Sequence, residues 1–168
     1  ASYKKVLNNL FKFTELQTSF PMNMVALVDG IPQTLSLKSI LEYYLKHRVE
    51  IVTRRSEFEL SEAKRRAHIL EGYLIALDHI DEVISVIKKA KDEPEAKTKL
   101  MKKFGLSDAQ TQAILEMQLR RLTGLERSKI EDELAMLKET IAYLEGLIKD
   151  IFKVLKVIKK EINEIANL

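Results

Sequence analysis

The longest unbroken hydrophobic period lies in the last quarter of the chain. Ile130, Leu134, Leu137, Ile141, Leu144, Ile148, Ile151, Leu155, Ile158, Ile162 and Ile165 follow one another at steps of 4 or 3. That spacing puts one apolar stripe along a helix and makes a coiled-coil seam. Gly146 and Asp150 predict a break near 149–151, after which the helix restarts. A second run, Leu45, Val49, Val52, Ser56, Leu60, Ala63, Ala67, Leu70, Leu74 and Leu77, keeps the same steps apart from one stutter at Val52–Ser56–Leu60. Small residues at Ser56, Ala63 and Ala67 let a partner helix come close. Ser36 is placed to cap this helix, and no proline interrupts it before Pro94. The pattern predicts a rod over 37–79, about 65 Å long.

Shorter signals fill the rest. Residues 3–13 predict a short helix. Asp29-Gly30, between two β-prone runs, predicts a hairpin near 23–36, with Pro32 confined to an edge. Asp81 is placed to cap a helix over 82–91, and Pro94 opens another that ends at Gly105. Ser107 with Gln110 forms one capping box, and Thr123 with Glu126 a second, which makes "LTGLE" a corner between helices. The predicted fold is all-α with a small β-hairpin near the N-terminus: a long antiparallel coiled-coil arm with a globular helical tip that dimerises. Its parts are 1–36 with the hairpin, the outgoing helix 37–79, the tip 80–123 and the returning helices 124–168. The seam of the arm is expected at Val52, Leu60, Ala63, Ala67, Leu70, Leu134, Leu137, Ile141 and Leu144.

Composition narrows the chemistry. With 46% apolar and 32% charged residues, five glycines and three prolines, the chain reads as helix-rich and well short of disorder. The absence of Cys excludes disulfides, cysteine zinc sites and thiol catalysis, and fits a reducing, cytoplasmic setting. No stretch approaches the ~20 apolar residues of a membrane span. A chain that starts without Met and stops at Leu168 in mid-period is expected to be a piece of a larger protein. His47, His68 and His79 stand in no metal-site pattern; His68 and His79 are about 16 Å apart along the axis. No nucleophile motif, P-loop or dinucleotide fingerprint occurs.

A net charge of +3 does not by itself indicate a nucleic-acid partner. Basic clusters stand at 47–48, 54–55, 64–66 and 88–103, with Glu50, Glu57, Glu59 and Glu62 interleaved on the rod. A solvated face held by i,i+4 pairs is the plainer reading of them, and a DNA-facing surface is the alternative.

"QAILEMQLRRLTGLE", residues 112–126, is too apolar for one helix face. Leu115, Leu119 and Leu122 fall within about 60° of one another and are assigned to the core of the tip. Ala113, Ile114 and Met117, flanked by Gln110 and Arg120, form a smaller side with a polar rim, assigned to a contact with a second copy. A tip that buries both sides of this helix is the competing reading.

Five separated blocks, "LQTSF…NMVALVDG", "HRVEIVTRRSEFEL", "RAHILEGYLIALDHIDEVI", "QAILEMQLRRLTGLE" and "KIEDELAMLKETIAYL", resemble the A subunits of bacterial type IIA DNA topoisomerases over essentially the whole chain. The "RLTGLE" corner and "ALVDG" hairpin look more like the gyrase branch than the topoisomerase IV branch. The resemblance implies the stretch from the end of the tower region through the coiled coil and its tip. In that family two A subunits meet at these tips to form the exit gate, or C-gate, through which the transported duplex leaves during ATP-dependent supercoiling. It implies a homodimer, with double-stranded DNA and a gyrase B subunit as further partners. ATP and Mg²⁺ are implied through the B subunit, with no cofactor in this stretch. The family's nucleophilic tyrosine, next to an arginine in an "RYT" context, has no match, since Tyr3 stands in "SYKK". The Gly-rich basic box that opens the wrapping domain is also missing. The resemblance therefore implies no catalytic residue and no cleavage activity here. The rival from pattern alone is a coiled-coil scaffold without DNA traffic, similar to the arms of chromosome-organising ATPases.

Overall fold

A computed structural model describes residues 2–117 and 124–168, with side chains described for 2–117 and 127–168. Among the described residues the elements are α1 (Tyr3–Phe13), β1 (Val25–Val28), β2 (Ile31–Thr34), α2 (Leu37–Asp78), α3 (Ile80–Lys89), α4 (Glu93–Phe104), α5 (Asp108–Leu115), α6 (Gly124–Ile148) and α7 (Ile151–Ala166). The fold is helical with one small N-terminal hairpin. The chain divides into two compact units, residues 1–47 and 48–168. Their boundary falls inside α2 instead of at its start.

In the first unit, β1 and β2 pair antiparallel in the register Val25↔Thr34 to Val28↔Ile31. Asp29 and Gly30 both take positive φ, 51° and 81°, the conformation of a type I′ two-residue turn. Asp tolerates that region better than most residues, and Gly adopts it freely. A two-stranded sheet has only edges, so the missing N–H of Pro32 breaks no central ladder. Ser36 caps α2: its hydroxyl accepts from the Ser39 N–H at 3.2 Å. Helix α1 carries Tyr3, Val6, Leu7, Leu10 and Phe11 on one stripe, and all five are exposed.

The second unit holds two buried clusters. Ala67, Leu70, Tyr73 and Ala76 of α2 pack with Val83, Leu100, Leu106 and Ile114 of the tip helices and their connections, and with Ile130 and Leu134 of α6. Nearer the start of α2, Val52 packs with Leu144 and Leu147 of α6 and Val154 and Ile158 of α7. Burying each large aliphatic side chain contributes about 1.5–3 kcal/mol, so these clusters fix which faces meet. The stutter sits where Ser56, 2% exposed, turns its hydroxyl back to the Val52 carbonyl at 2.8 Å.

Two helix starts are instructive. Helix α3 begins at Ile80, with His79 at the cap position and no side-chain cap bond. The expectation of an Asp81 cap is therefore corrected: the chain resumes its helix immediately after α2, and Asp81 lies in the first turn, where its charge complements the helix dipole. Helix α4 matches its signals, with Asp92 accepting from the Glu95 N–H at 2.9 Å, Pro94 in the first turn and Gly105 in the left-handed region at φ 66°. The second expected capping box, Thr123 with Glu126, lies outside the described residues.

The returning chain breaks where Gly146 and Asp150 predicted. Helix α6 ends at Ile148 and α7 starts at Ile151, with Asp150 extended at φ −129°, ψ 104°. Its carboxylate accepts from the Phe152 N–H at 2.9 Å, which caps α7.

Candidate functional site

The tip is organised by the way α5 docks on α2. Ser107 and Gln110 form the complete reciprocal box: the Gln110 N–H donates to the Ser107 hydroxyl at 3.2 Å and the Ser107 N–H to Gln110 Oε1 at 2.9 Å. The same Gln110 amide donates to the backbone carbonyl of His68 on α2 at 2.8 Å. His68 Nε2 lies 2.6 Å from the Ser107 hydroxyl. One glutamine thus starts α5 and ties it to α2. Gly72 permits this, because a Cβ there would fall 2.7 Å from Gln110 Cγ and 2.8 Å from its Cβ.

This docking sets the rotation of α5 and buries two of the residues assigned to a contact with a second copy. Gln110, Thr111 and Ile114 share one helix face, and all three are buried, Ile114 at 4% exposure within the core of the tip. Gln110 and Ile114 therefore face inward, where a surface contact was expected. Leu115, one position and about 100° further round, is partly buried and packs against the same core. It lines a cleft of about 360 Å³ with Ile87, Ala90, Ala96 and Glu116. Ala113 and Met117 are partly buried and pack against the core while keeping exposed surface. Arg120, Leu119 and Leu122 lie outside the described residues. The sequence reading missed Gly72, although a lone glycine inside a strong helical period signals close packing.

On the arm, Val52, Ala63, Ala67, Leu70, Leu134 and Leu144 are buried, and Leu60, Leu137 and Ile141 are partly buried against the two clusters. Ion pairs cross between the helices along their length. Arg48 and Arg55 both hold Glu161. Lys64 meets Glu145 at 2.5 Å, Arg66 grips Glu133 with two bonds of 2.7 and 3.0 Å, Glu71 meets Lys138 at 3.2 Å and Asp78 meets Arg127 at 2.8 Å. From Arg48 with Glu161 at one end to Asp78 with Arg127 at the other, partner numbers fall as α2 numbers rise, apart from the local exchange of Arg66–Glu133 and Glu71–Lys138, as in an antiparallel pair. The basic clusters at 47–48, 54–55 and 64–66 are therefore largely committed to carboxylates, with Arg54–Glu50 and Arg55–Glu59 adding i,i+4 pairs.

These contacts shift the carboxylates. The hydrogen bond from Arg55, with the attraction of Arg55 and Arg48, holds the Glu161 carboxyl below its usual range. Lys64 does the same for Glu145. Among the described residues no three His, Asp or Glu side chains gather in a metal-holding group, and no helix is long and apolar enough to cross a membrane.

The family model for the A subunits of DNA gyrase and topoisomerase IV matches residues 1–163. The chain belongs to this DNA gyrase/topoisomerase IV family. Its similarity to individual A subunits extends over nearly its whole length. It is 56% identical over 160 residues to the DNA gyrase A subunit of Clostridium acetobutylicum, covering 95% of this chain and 19% of that protein. Against the DNA gyrase A subunit of Streptococcus pneumoniae it is 52% identical over 165 residues, covering 98% of this chain and 20% of the relative. The corresponding protein of Halalkalibacterium halodurans is 53% identical over 165 residues, with the same shares covered. The chain thus spans about a fifth of the length of the gyrase A subunits it matches.

Proposed function

We propose that this chain is the exit-gate segment of a DNA gyrase A subunit. In this reading the arm built from α2, α6 and α7 carries a tip that meets the tip of a second copy. The transported duplex leaves between them during ATP-dependent negative supercoiling. The observation that carries it is the antiparallel arm ending in a tip of short helices packed on its end, whose residues Ala113 and Met117 keep exposed apolar surface. A gate has to stay shut yet open under strain, which suits a small apolar patch on a stiff arm better than an extended core-like interface.

The complete enzyme would then contain two A subunits together with the gyrase B subunit, with ATP and Mg²⁺ handled through B, in the cytoplasm. This chain by itself would neither cut nor supercoil DNA. The equivalent segment of topoisomerase IV is the second reading, and the gyrase names of the relatives favour the first. A scaffold without DNA traffic is the third.

Light scattering on the 168-residue chain tests the dimer directly: a mass of two chains is expected, falling to one in Met117→Asp or Ala113→Asp. The chain contains no Cys, so Met117→Cys in the complete enzyme gives one reactive thiol per copy of this segment. A cross-link between the two copies that stops release of the passed duplex supports the gate. A cross-linked enzyme that releases it at the normal rate contradicts the gate.

A further inference from the structure

Positive charge is handled differently on the two sides of the arm. Along α2 from Arg48 onward, every Arg and Lys contacts a carboxylate. Helix α7 does the opposite. Among the described residues, Lys153 and Lys156 contact no carboxylate, and Lys160 reaches only Glu164 on its own helix at 3.9 Å. These three lysines stand at steps of 3 and 4, so they share one flank of α7. With Tyr143 of α6 they rim a shallow pocket of about 250 Å³ floored by Leu147 and Val157.

The flank is built as well as charged. Gly146 leaves open the space where the Lys153 amine lies, 3.3 Å from the position a Cβ would take. Leu147, at 4% exposure, is fixed in the arm's core, while Tyr143 is 60% exposed. The lysine stems can lie along this apolar floor and keep their ammonium groups at the rim. Three like charges held within one flank repel each other unless an anion joins them. From Lys153 to Lys160 is about 10.5 Å along the helix, a length over which each strand of a duplex carries about three phosphates, counted along the duplex axis.

We infer that this flank of α7, Lys153, Lys156 and Lys160 beside Tyr143, is a contact surface for the phosphate backbone of duplex DNA. The inference rests on the gate reading, which brings a duplex past the arm. Lysine ammonium groups are point charges without the planar fork of arginine. The contact is therefore independent of sequence and sensitive to salt, as a surface that must let the duplex go requires.

The test is fluorescence anisotropy of a labelled random-sequence duplex titrated with the 168-residue chain across a salt series. Three lost phosphate contacts should flatten the slope of log K against log salt by about 2.7 in the triple variant Lys153→Ala/Lys156→Ala/Lys160→Ala, and weaken binding at least about tenfold at low salt. A control variant, Lys88→Ala/Lys89→Ala/Lys102→Ala, removes the same charge from the tip and should keep the original slope. The inference fails if both triple variants lose the same slope, if the α7 variant keeps it, or if a polyglutamate peptide binds this flank more tightly than the duplex. Light scattering on the α7 variant should still give the dimer mass. Loss of DNA binding with an intact dimer, and loss of the dimer with DNA binding retained, thus separate a failure of this contact from a failure of the gate.

Discussion

Gln110 rests on Gly72 so closely that the glycine has no room for a single additional carbon. The nearest atoms are Gln110 Cγ and Cβ at 2.7 and 2.8 Å, close to the α5 backbone, so a rotation of the amide end cannot relieve the clash. Gly72→Ala has two opposing effects. Alanine favours a helix interior by about 1 kcal/mol over glycine. Overpacking against α5 costs about 1–3 kcal/mol, and the shift also strains the Gln110 bond to the His68 carbonyl. A net loss of about 1–2 kcal/mol is expected, a fall of a few degrees in Tm by thermal circular dichroism. A rise in Tm would mean that α5 slides without cost.

Glu161 gives the arm a pH-dependent clasp. Its carboxyl is held below the ordinary value of 4.5 by the hydrogen bond from Arg55 and the attraction of Arg55 and Arg48. A folded value below the unfolded one means stabilisation that is present above about pH 4.5 and is lost as pH falls through the folded value. Glu161→Gln also leaves the half-buried Arg48, whose Nε already lacks a partner, without its counter-charge. At pH 7 the variant should melt a few degrees below the parent, for a loss of about 1 kcal/mol. Melting curves taken from pH 7 down to 3 should converge at the acid end. A gap that persists at pH 3 would assign the effect to packing.

Ile114 on α5 and Met117, two residues past its end, should respond in opposite ways. Ile114 is 4% exposed in the core of the tip, so Ile114→Asp buries an unpaired charge and should lower stability by several kcal/mol, with loss of cooperative melting of the tip. Met117→Asp lies at a partly exposed position and should leave the melt nearly unchanged while reducing the mass seen by light scattering. If both variants unfold the chain, the proposed patch has no surface to offer a second copy.

The sequence made the arm legible because its signal is redundant. Nine apolar positions and Ser56 at steps of 3 and 4 place the long α2 and the seam from Val52 to Leu70, and one wrong position among them changes little. Turn chemistry was equally local, as with Asp29-Gly30 and Gly105. The rotation of α5 was not legible. Its apolar residues are spread around the helix, so periodicity cannot choose a face, and the choice between Ile114 and Leu115 is made by a polar contact. That contact joins residues 42 positions apart, Gln110 and the His68 carbonyl, over the bare Cα of Gly72, and none of the three is hydrophobic. The cross-helix ion pairs were hidden for a similar reason. Glu161 is one acid among many until the antiparallel register brings it between Arg48 and Arg55.

The break at Asp150 is a capped joint, and its energetics can be checked. Helix α7 continues past this joint with Val154 and Ile158 in the buried cluster that also holds Val52, Leu144 and Leu147. Asp150 supports the start of α7 by capping the Phe152 N–H at 2.9 Å. Asp150→Ala removes the cap and should cost about 1 kcal/mol, a drop of roughly 2–4 °C in Tm for a chain of this size. Lys149→Ala, one residue earlier, should stay within about 0.5 kcal/mol of the parent. The helical circular-dichroism signal distinguishes the alternatives. If alanine at 150 let α6 and α7 fuse into one favourable helix, helicity and Tm would rise together.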